Sequence, residues 1–456
     1  MKNLMIAAAV AVALSQMPAG AEAASPNDLA EIREQLQGLM NRVDRLEQEN
    51  QALKSENAEL KSQGEELKAQ GDYLKTETRG LRKENAQQSA DADKVKGADW
   101  AGRVTLSGDI RYRYEYIADD TALNAAGVTA ADRTRDRIRA RFNAVAKATD
   151  NINVGIGFAT TEGGDPRSSN QSLTGVFNRK SLDLDLAYFD WKFASWGNLV
   201  GGKMRQPFVK GGQNLFWDND INPEGLAFVF NRGMWFGSAY NFWLNEVSGA
   251  ENTQTSDPMM HGLQIGARVP VGSATLTLAA HYYDLSSSQG RLLPAGPLFN
   301  GSANGNTTIG TAPNIGLAFD YEVIDALVQY ETTIGSRPLQ VWGEYANNQD
   351  PDDLNTAWSA GVLFGRASNA GTWEVGALYQ VLEKDAVFAQ LIDSDFAGGL
   401  SDNEGWVLRF GYAPVRNWAL NATYFLNKRN VDVAQNAFNT TEVDYDRLQV
   451  DFNVKF

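Results

Sequence analysis

Arginines stand at every second position from Arg133 to Arg141, a spacing that places all five on one side of a β-strand. Rows of fixed cations on a wall that faces water raise the local concentration of anions. The alternative is that these arginines form ordinary ion pairs in the wall with Asp109, Glu115, Asp136, Asp183 and Asp185. The basic residues that we assign to such a row are Arg111, Arg113, Arg137, Arg139, Arg141, Lys203, Arg205 and Arg409.

Carboxylates are concentrated in a polar stretch between residues 206 and 224, where Asp218, Asp220 and Glu224 occur close together. Three carboxylates opposite a row of arginines would create a transverse electric field across a narrow passage. Two other interpretations remain open, a plain surface loop and a loose Ca²⁺ site made by the aspartates.

The stretches around these charges alternate in the manner of membrane strands. In Arg447 to Phe456 polar and apolar side chains alternate strictly, which predicts a strand with one wet and one apolar face. A soluble sheet can end in the same way, but here the pattern recurs at membrane-spanning length back to residue 103. The segments are 103–116, 137–148, 152–158, 182–193, 198–206, 224–231, 234–245, 260–270, 273–285, 315–333, 338–347, 357–366, 372–383, 405–413, 417–428 and 443–456.

The connections between these segments alternate in length. Tight turns follow the even-numbered segments, and long polar loops follow the odd-numbered ones, which is the layout of an outer-membrane barrel. A soluble β-sandwich or β-helix requires no such alternation. We therefore predict an all-β transmembrane barrel of about 16 antiparallel strands over residues 102–456, with the arginines in the lumen because arginines on a lipid face are costly.

Composition narrows the function classes. The chain has 456 residues, a net charge of -15, a mean hydropathy of -0.36 and no cysteine. Disulfides and thiolate chemistry are therefore excluded, and the acidic balance argues against nucleic acid as a partner. With only two histidines, His261 and His281, a histidine-rich metal site is excluded, and we expect neither a metal nor a cofactor.

The N-terminal part predicts export followed by a rod. Residues 1–23 combine a lysine, a short apolar run and a small-residue cleavage site, the form of a secretory signal peptide. Residues 26–86 predict a periplasmic coiled coil, and residues 87–101, which lose the heptad, predict a linker. Asn50 and Asn57 fall at the second core position and would fix register. The apolar heptad series is Ile32, Leu39, Leu46, Leu53, Leu60, Leu67, Leu74 and Leu81.

An enzyme is an alternative, because some membrane barrels are lipases. Such a site needs a nucleophile held by a general base. Ser238 and Ser273 are the nearest candidates in sequence to His261 and His281, but no nucleophile motif is present. We therefore predict that the chain is not an enzyme.

Several stretches resemble the bacterial putative-porin family, relatives of the sixteen-stranded porins. They are GDIRYRYEY (108–116), RTRDRIRARFNA (133–144), SSNQSLTGVFNRKSLDLDLAYFDW (168–191), GGKMRQPF (201–208), WDNDINPEGLAF (217–228), VWGEYANN (341–348) and DSDFAGG (393–399). The resemblance spans the barrel and implies an outer-membrane channel whose loop 207–223 folds inward. The opening strand is similar to phosphate-selective porins, although their lysine-rich arrangement is absent. The N-terminal rod resembles that of some sugar-specific and anchor-type porins, where it is trimeric.

These observations together predict a porin that passes ions and small hydrophilic solutes with a mild preference for anions. The expected partners are outer-membrane lipid and lipopolysaccharide, two further copies of the chain in a homotrimer, and peptidoglycan along the rod. The alternative is an envelope-spacing protein whose barrel mainly anchors a rod that contacts peptidoglycan.

Overall fold

The computed structural model describes residues 26–94, 101–120, 132–246, 257–285, 288–290, 302–311, 314–434 and 441–456. The chain divides into two compact units, residues 1–98 and 99–456. The predicted signal peptide lies outside the described residues.

The first unit contains one long helix, α1, Pro26–Lys94. It continues to Lys94 through part of the predicted linker, because residues 87–94 lose the apolar heptad but contain no Gly or Pro that would end the helix. The leucines of the heptad series from Leu39 to Leu81 are exposed, between 45% for Leu81 and 67% for Leu67. The side chain of Ile32 is outside the described ones. No helix in the described part of the chain is both long and apolar enough to cross a membrane.

The second unit is a closed antiparallel barrel of sixteen strands, each paired with the next along the chain. The strands are β1 Val104–Asp119, β2 Arg133–Lys147, β3 Ile152–Thr160, β4 Leu182–Ala194, β5 Gly197–Lys203, β6 Glu224–Arg232, β7 Trp235–Trp243, β8 Met259–Val271, β9 Ala274–Leu285, β10 Tyr321–Ile334, β11 Arg337–Asn348, β12 Thr356–Gly365, β13 Thr372–Leu382, β14 Asn403–Val415, β15 Trp418–Arg429 and β16 Val443–Lys455.

The barrel closes where β16 pairs with β1. The register runs from Asp109 opposite Lys455 to Asp119 opposite Tyr445. Beyond it, Gly108 and Phe456 exchange two backbone hydrogen bonds of 3.0 Å. Closure leaves no sheet edge unpaired, which a hydrocarbon environment demands of any strand that spans it.

The barrel wall is polar inside and apolar outside. In β16, Arg447 and Gln449 are 4% and 3% exposed, whereas Phe452 and Val454 are 41% and 47% exposed. A water-soluble protein buries the apolar set instead. The alternation predicted from the last ten residues is therefore confirmed, and it identifies the outer face as the lipid-facing one.

The prediction of a barrel with about sixteen strands is confirmed, with two local differences. The long segment 315–333 is divided, because Asn314–Leu317 pairs with Thr308–Thr311 in a loop hairpin and β10 begins at Tyr321. The alternation of segment 182–193 is interrupted at a register shift, where Leu184 and Leu186 face successive residues of β3. Asp185 is the extra residue of this bulge.

We expect Gly108→Val to destabilise the barrel at its seam. A β-carbon at Gly108 would meet the Arg141 carbonyl oxygen and the Phe456 ring, each at 2.5 Å. Overpacking of this kind costs about 1–3 kcal/mol. The unfolding temperature of the detergent-folded protein, measured by heat-dependent gel mobility, should fall.

Gly102→Val is the matched control, because nothing lies within 4 Å of the β-carbon position of Gly102. Equal unfolding temperatures for the two variants would contradict the role assigned to Gly108.

Candidate functional site

The alternating arginines of β2 point into the barrel. Arg137 and Arg139 are 5% and 6% exposed, and Arg113 on the neighbouring β1 is 5% exposed. The register pairs Arg113 with Arg137 and Arg111 with Arg139, so the two strands form one basic patch on the inner wall. Because side chains alternate between the two faces of a strand, arginines at every second position all point to the inner face.

Most of these arginines are paired with carboxylates. Asp109 accepts hydrogen bonds from Arg139 Nη2 and Arg141 Nε, both at 2.7 Å. Arg113 binds Asp451 through two nitrogens, at 2.7 and 2.9 Å. The wall ion pairs of the alternative interpretation are therefore present in this part of the patch, and Asp451 is a further partner that the sequence did not indicate.

The loop between β5 and β6, residues 204–223, folds into the lumen and is fastened to the far wall. The backbone NH groups of Val209, Gly211 and Gly212 donate hydrogen bonds to Gln264, Glu344 and Gln329, at 2.7, 2.9 and 2.7 Å. The acceptors belong to β8, β11 and β10. The loop therefore crosses the barrel interior and narrows it.

A second loop, residues 383–402 between β13 and β14, folds inward beside the first. The Asp218 NH donates to the Leu391 carbonyl at 2.6 Å, and the Asp393 NH donates to the Leu215 carbonyl at 3.0 Å. The Ser394 NH also donates to Asp218 Oδ2 at 3.0 Å. The two loops form a single layer across the lumen.

Asp395 fixes the second loop to the wall. Its carboxylate binds Arg113 at 3.0 Å through one oxygen and Arg447 through the other. The two arginine side chains are only 6% and 5% exposed. When a charge pair is buried this deeply, deleting one of its partners strongly destabilises the protein.

The two loops and the basic patch enclose a cavity of about 350 Å³. Its charged lining is balanced, with six arginines and six carboxylates. They are Arg111, Arg113, Arg139, Arg141, Arg167 and Arg409, with Asp218, Asp220, Glu374, Asp393, Asp395 and Asp451. We call this cavity, with its lining, the constriction.

Seven of the residues assigned from sequence meet at the constriction, and four do not. Arg137 is buried beside it against Glu162 and the Asn170 carbonyl, at 3.2 and 2.9 Å. Lys203 and Glu224 form an ion pair of 3.0 Å with each other outside it. Arg205 is exposed beyond the end of β5. The seven that line the constriction are Arg111, Arg113, Arg139, Arg141, Asp218, Asp220 and Arg409.

Sequence reasoning missed the carboxylates of the second loop and two basic groups, Arg167 and Arg447. Asp393 and Asp395 lie in the family-like stretch 393–399, which marked them as part of the resemblance without giving them a role. Asp451 stands on the polar face of the last strand, so the sequence predicts that its side chain points inward. The sequence does not indicate its partner, Arg113. Contacts between loops distant in sequence have no periodicity to reveal them.

Burial and neighbouring charge separate the loop carboxylates into two kinds. Burial, aided by Asp393 and Asp220, raises the pKa of Asp218. Burial and the charge of Asp395 raise the pKa of Asp393 in the same way. Burial also opposes ionisation of Asp220, but Arg139 and Arg141 outweigh it and lower its pKa. Of these three loop carboxyls, Asp218 and Asp393 therefore hold protons more readily than Asp220 does.

The histidines do not form a catalytic pair. His281 points inward, is 4% exposed and lies 2.8 Å from the Tyr240 hydroxyl through Nε2. Gln264, which pairs with His281 in the sheet, faces inward. His261 lies three residues before Gln264 on the same strand, so its exposed side chain is on the opposite, outer face. Ser238 Oγ is buried without a hydrogen-bond partner.

No cluster of three or more His, Asp or Glu within the described ranges is placed to hold a metal ion. Asp218 and Asp220 instead accept hydrogen bonds from backbone NH groups, those of Asp220 at 2.8 Å and Ser169 at 3.0 Å among them. The two aspartates therefore hold the conformation of the loop through their side-chain oxygens.

A family model described as putative porin matches residues 118–315 and 308–456. No curated protein matches the chain. Among solved structures, OprB of Pseudomonas putida at high pH is 11% identical with a TM-score of 0.49, over 78% of this chain and 95% of that chain. OmpT of Vibrio cholerae lacking loop L8 is 11% identical with a TM-score of 0.45, over 77% and 99%. A mutant porin of Rh. blastica is 9% identical with a TM-score of 0.43, over 77% and 100%.

We expect Asp395→Asn to loosen the second loop. The change leaves Arg113 and Arg447 with one charged partner fewer in a buried setting, at a cost of about 3 kcal/mol. Loop 383–402 in the folded protein should then be cut by added protease at least tenfold faster, measured by mass spectrometry of the fragments.

Asp352→Asn, a change of the same kind on an exposed loop, is the control. Equal cleavage rates in the two variants would show that Asp395 does not hold the loop.

Proposed function

Since this chain belongs to the putative porin family, we propose that it forms a water-filled outer-membrane channel for ions and small hydrophilic solutes. The observation that supports this most directly is a polar, charged cavity held inside a barrel whose outer face is apolar. Rings and rows of charged side chains at a narrow point are the usual means by which a pore selects its solutes. We assign no catalytic step to the chain.

The two inward loops give the channel its filter. Strand number alone would leave a wide lumen, because barrels of sixteen strands enclose an aqueous channel. Loops 204–223 and 383–402 occupy that space and bring Asp218 and Asp393 opposite the basic patch of β1 and β2. Solutes that pass must therefore pass close to these charges.

We propose a mild preference for anions. Six arginines and six carboxylates line the constriction, so formal charge alone favours neither sign. The raised pKa values of Asp218 and Asp393 act in the direction of anions, because a carboxyl that holds its proton more readily contributes less negative charge. The net charge of -15 has little influence, since charges more than about 8 Å away are screened at physiological salt.

Helix α1 supports a proposed homotrimer in which three helices bury one another's leucines in the periplasm. A helix that exposes Leu53, Leu60 and Leu67 along one heptad position buries nothing by itself. The proposed surroundings of the barrel are outer-membrane lipid and lipopolysaccharide, with peptidoglycan as a contact of the rod.

The length of α1 also keeps the second candidate function open, that of an envelope-spacing tether. A helix of 69 residues is about 100 Å long at 1.5 Å per residue. In that case the barrel is mainly an anchor and the rod contacts peptidoglycan. Conductance distinguishes the two functions, because a tether needs no open lumen.

We expect the purified, folded protein to give stepwise conductance in planar bilayers. In a KCl gradient its reversal potential should be shifted towards the equilibrium potential of chloride. The preference should weaken as salt rises towards 1 M, where the screening length is about 3 Å. A folded protein without conductance steps would reject the channel. A wild-type channel that prefers K⁺ would show that the constriction arginines are fully neutralised.

We expect the anion preference to decline as pH rises. A carboxyl with a raised pKa is neutral below that pKa and becomes negative above it, so Asp218 adds negative charge to the constriction on the alkaline side. Asp218→Asn removes this ionisable group and should reduce the pH-dependence of the reversal potential. Asp352→Asn should leave it unchanged, and identical pH profiles for all three proteins would contradict the assignment to Asp218.

We expect replacing Leu53, Leu60 and Leu67 together with Ser to lower the temperature at which the oligomer dissociates. Each substitution removes a leucine from the proposed helix–helix core. Replacing Lys54, Lys61 and Lys68 with Ser at the adjacent heptad position is the matched control, since its helix-propensity cost is similar. The dissociation temperature is measured by gel electrophoresis of intact protein heated to increasing temperatures. Equal dissociation temperatures for the leucine and lysine variants would show that the rod does not stabilise the oligomer.

A further inference from the structure

Arg409 is the cation of the constriction that the protein leaves unpaired. It lies on β14 and lines the cavity, but no carboxylate oxygen within the described part of the chain is within 4.0 Å of its guanidinium. Its Nε is inaccessible to solvent and has no hydrogen-bond partner. A solute cannot reach this inaccessible Nε either. The two Nη groups, neither of which is buried without a partner, are the donors that Arg409 offers to the cavity.

Two carboxylates near Arg409 also have unused oxygens. Asp393 accepts the NH groups of Asp395 and Phe396, both at 2.9 Å, through Oδ1 alone. Glu374 accepts the Ala367 NH at 3.2 Å through Oε2 alone. Asp393 and Glu374 line the same cavity as Arg409, yet neither carboxylate reaches ion-pair distance from its guanidinium. A gap therefore separates an unpaired cation from two carboxylates that could each accept more hydrogen bonds.

The wall beside Arg409 adds neutral polar groups. Thr423 lies directly opposite Arg409 in the sheet, and Asn421 lies two residues away on the same face of β15. Both line the cavity, and neither side chain has a hydrogen-bond partner within the described residues. Arg111, on the far side of the cavity, uses only its Nε, which donates to Asn453 at 2.9 Å. Hydrogen-bonding capacity thus surrounds the gap.

We propose that the constriction binds zwitterionic solutes, small molecules with a carboxylate and an ammonium group close together, such as free amino acids. The solute's carboxylate occupies Arg409, and its ammonium group occupies the unused oxygens of Glu374 and Asp393. This proposal rests on the proposed channel function and gives it a substrate class.

Charge balance explains why the solute has both signs. A simple anion at Arg409 gains one charge-assisted hydrogen-bonding partner but approaches Glu374 and Asp393, and a simple cation gains the carboxylates but approaches Arg409. A zwitterion satisfies both sets and leaves the net charge of the constriction unchanged. The planar guanidinium fork also matches a carboxylate.

Four solutes of equal heavy-atom count test the proposal: alanine, lactate, protonated alaninamide and lactamide. Each is added to full-length protein conducting KCl in a planar bilayer, and the concentration that halves single-channel current is measured. Alanine should block at a concentration about tenfold or more below that of the other three, the factor expected for one additional charge-assisted hydrogen-bonding partner.

Arg409→Gln should raise the blocking concentration of alanine about tenfold and remove its advantage over alaninamide. Glu374→Gln should instead remove its advantage over lactate. The matched control is Arg268→Gln, because the Arg268 guanidinium stacks on the Phe236 ring at 4.1 Å, away from the constriction. KCl conductance in every variant shows that the barrel has folded.

Three results would overturn the proposal. Equal block by alanine and lactate would indicate a site for simple anions. If none of the four solutes blocked a conducting channel, the channel would lack this binding site. An unchanged alanine block in Arg409→Gln would place binding elsewhere. A wild-type protein without conductance would defeat the channel itself, which distinguishes that failure from the other three.

Discussion

The seam between the first and last strands is the constraint on which the rest of the structure depends. It brings Arg113 within hydrogen-bond distance of Asp451, although 338 residues separate them in sequence. The same pairing places Arg111 beside Asn453. Without closure, β1 and β16 would each present a row of unpaired backbone groups to lipid, and the basic patch would lose the carboxylates that share its wall.

The barrel reverses the usual partition of side chains, and this explains where its charges collect. With lipid outside, apolar residues such as Phe452 gain nothing from facing inward, and the lumen receives the polar half of every strand. Charges inside a narrow lumen must either pair or face water. Arg139 takes the first course with Asp109, whereas Arg409 has no ion-pair partner among the described residues.

The strands could be predicted from sequence because each repeats a period of two over its own length. Sixteen segments and the alternation of turns and loops followed from local pattern alone. The division of 315–333 could not, since the loop hairpin at Asn314–Leu317 alternates as a wall strand does. The first inward loop was expected from the family resemblance and from its aspartates.

The second inward loop was not predicted, and its omission distorted the estimate of charge at the constriction. Its position depends on Asp395 reaching Arg113 and Arg447 on strands at opposite ends of the barrel sequence. No spacing within residues 383–402 encodes that contact. The eight basic residues and three carboxylates assigned from sequence therefore omitted the carboxylates of this loop, whereas the formal charges that line the constriction are equal in number.

The attachment of the first loop to the far wall fixes an order of assembly. Its backbone is held by Gln264, Gln329 and Glu344, which belong to strands that follow the loop in the chain. None of these bonds can form until β8, β10 and β11 have joined the sheet. The loop can therefore be fastened once β11 is in place, before β16 closes the barrel against β1, so the narrow passage can form before the lumen is a closed channel.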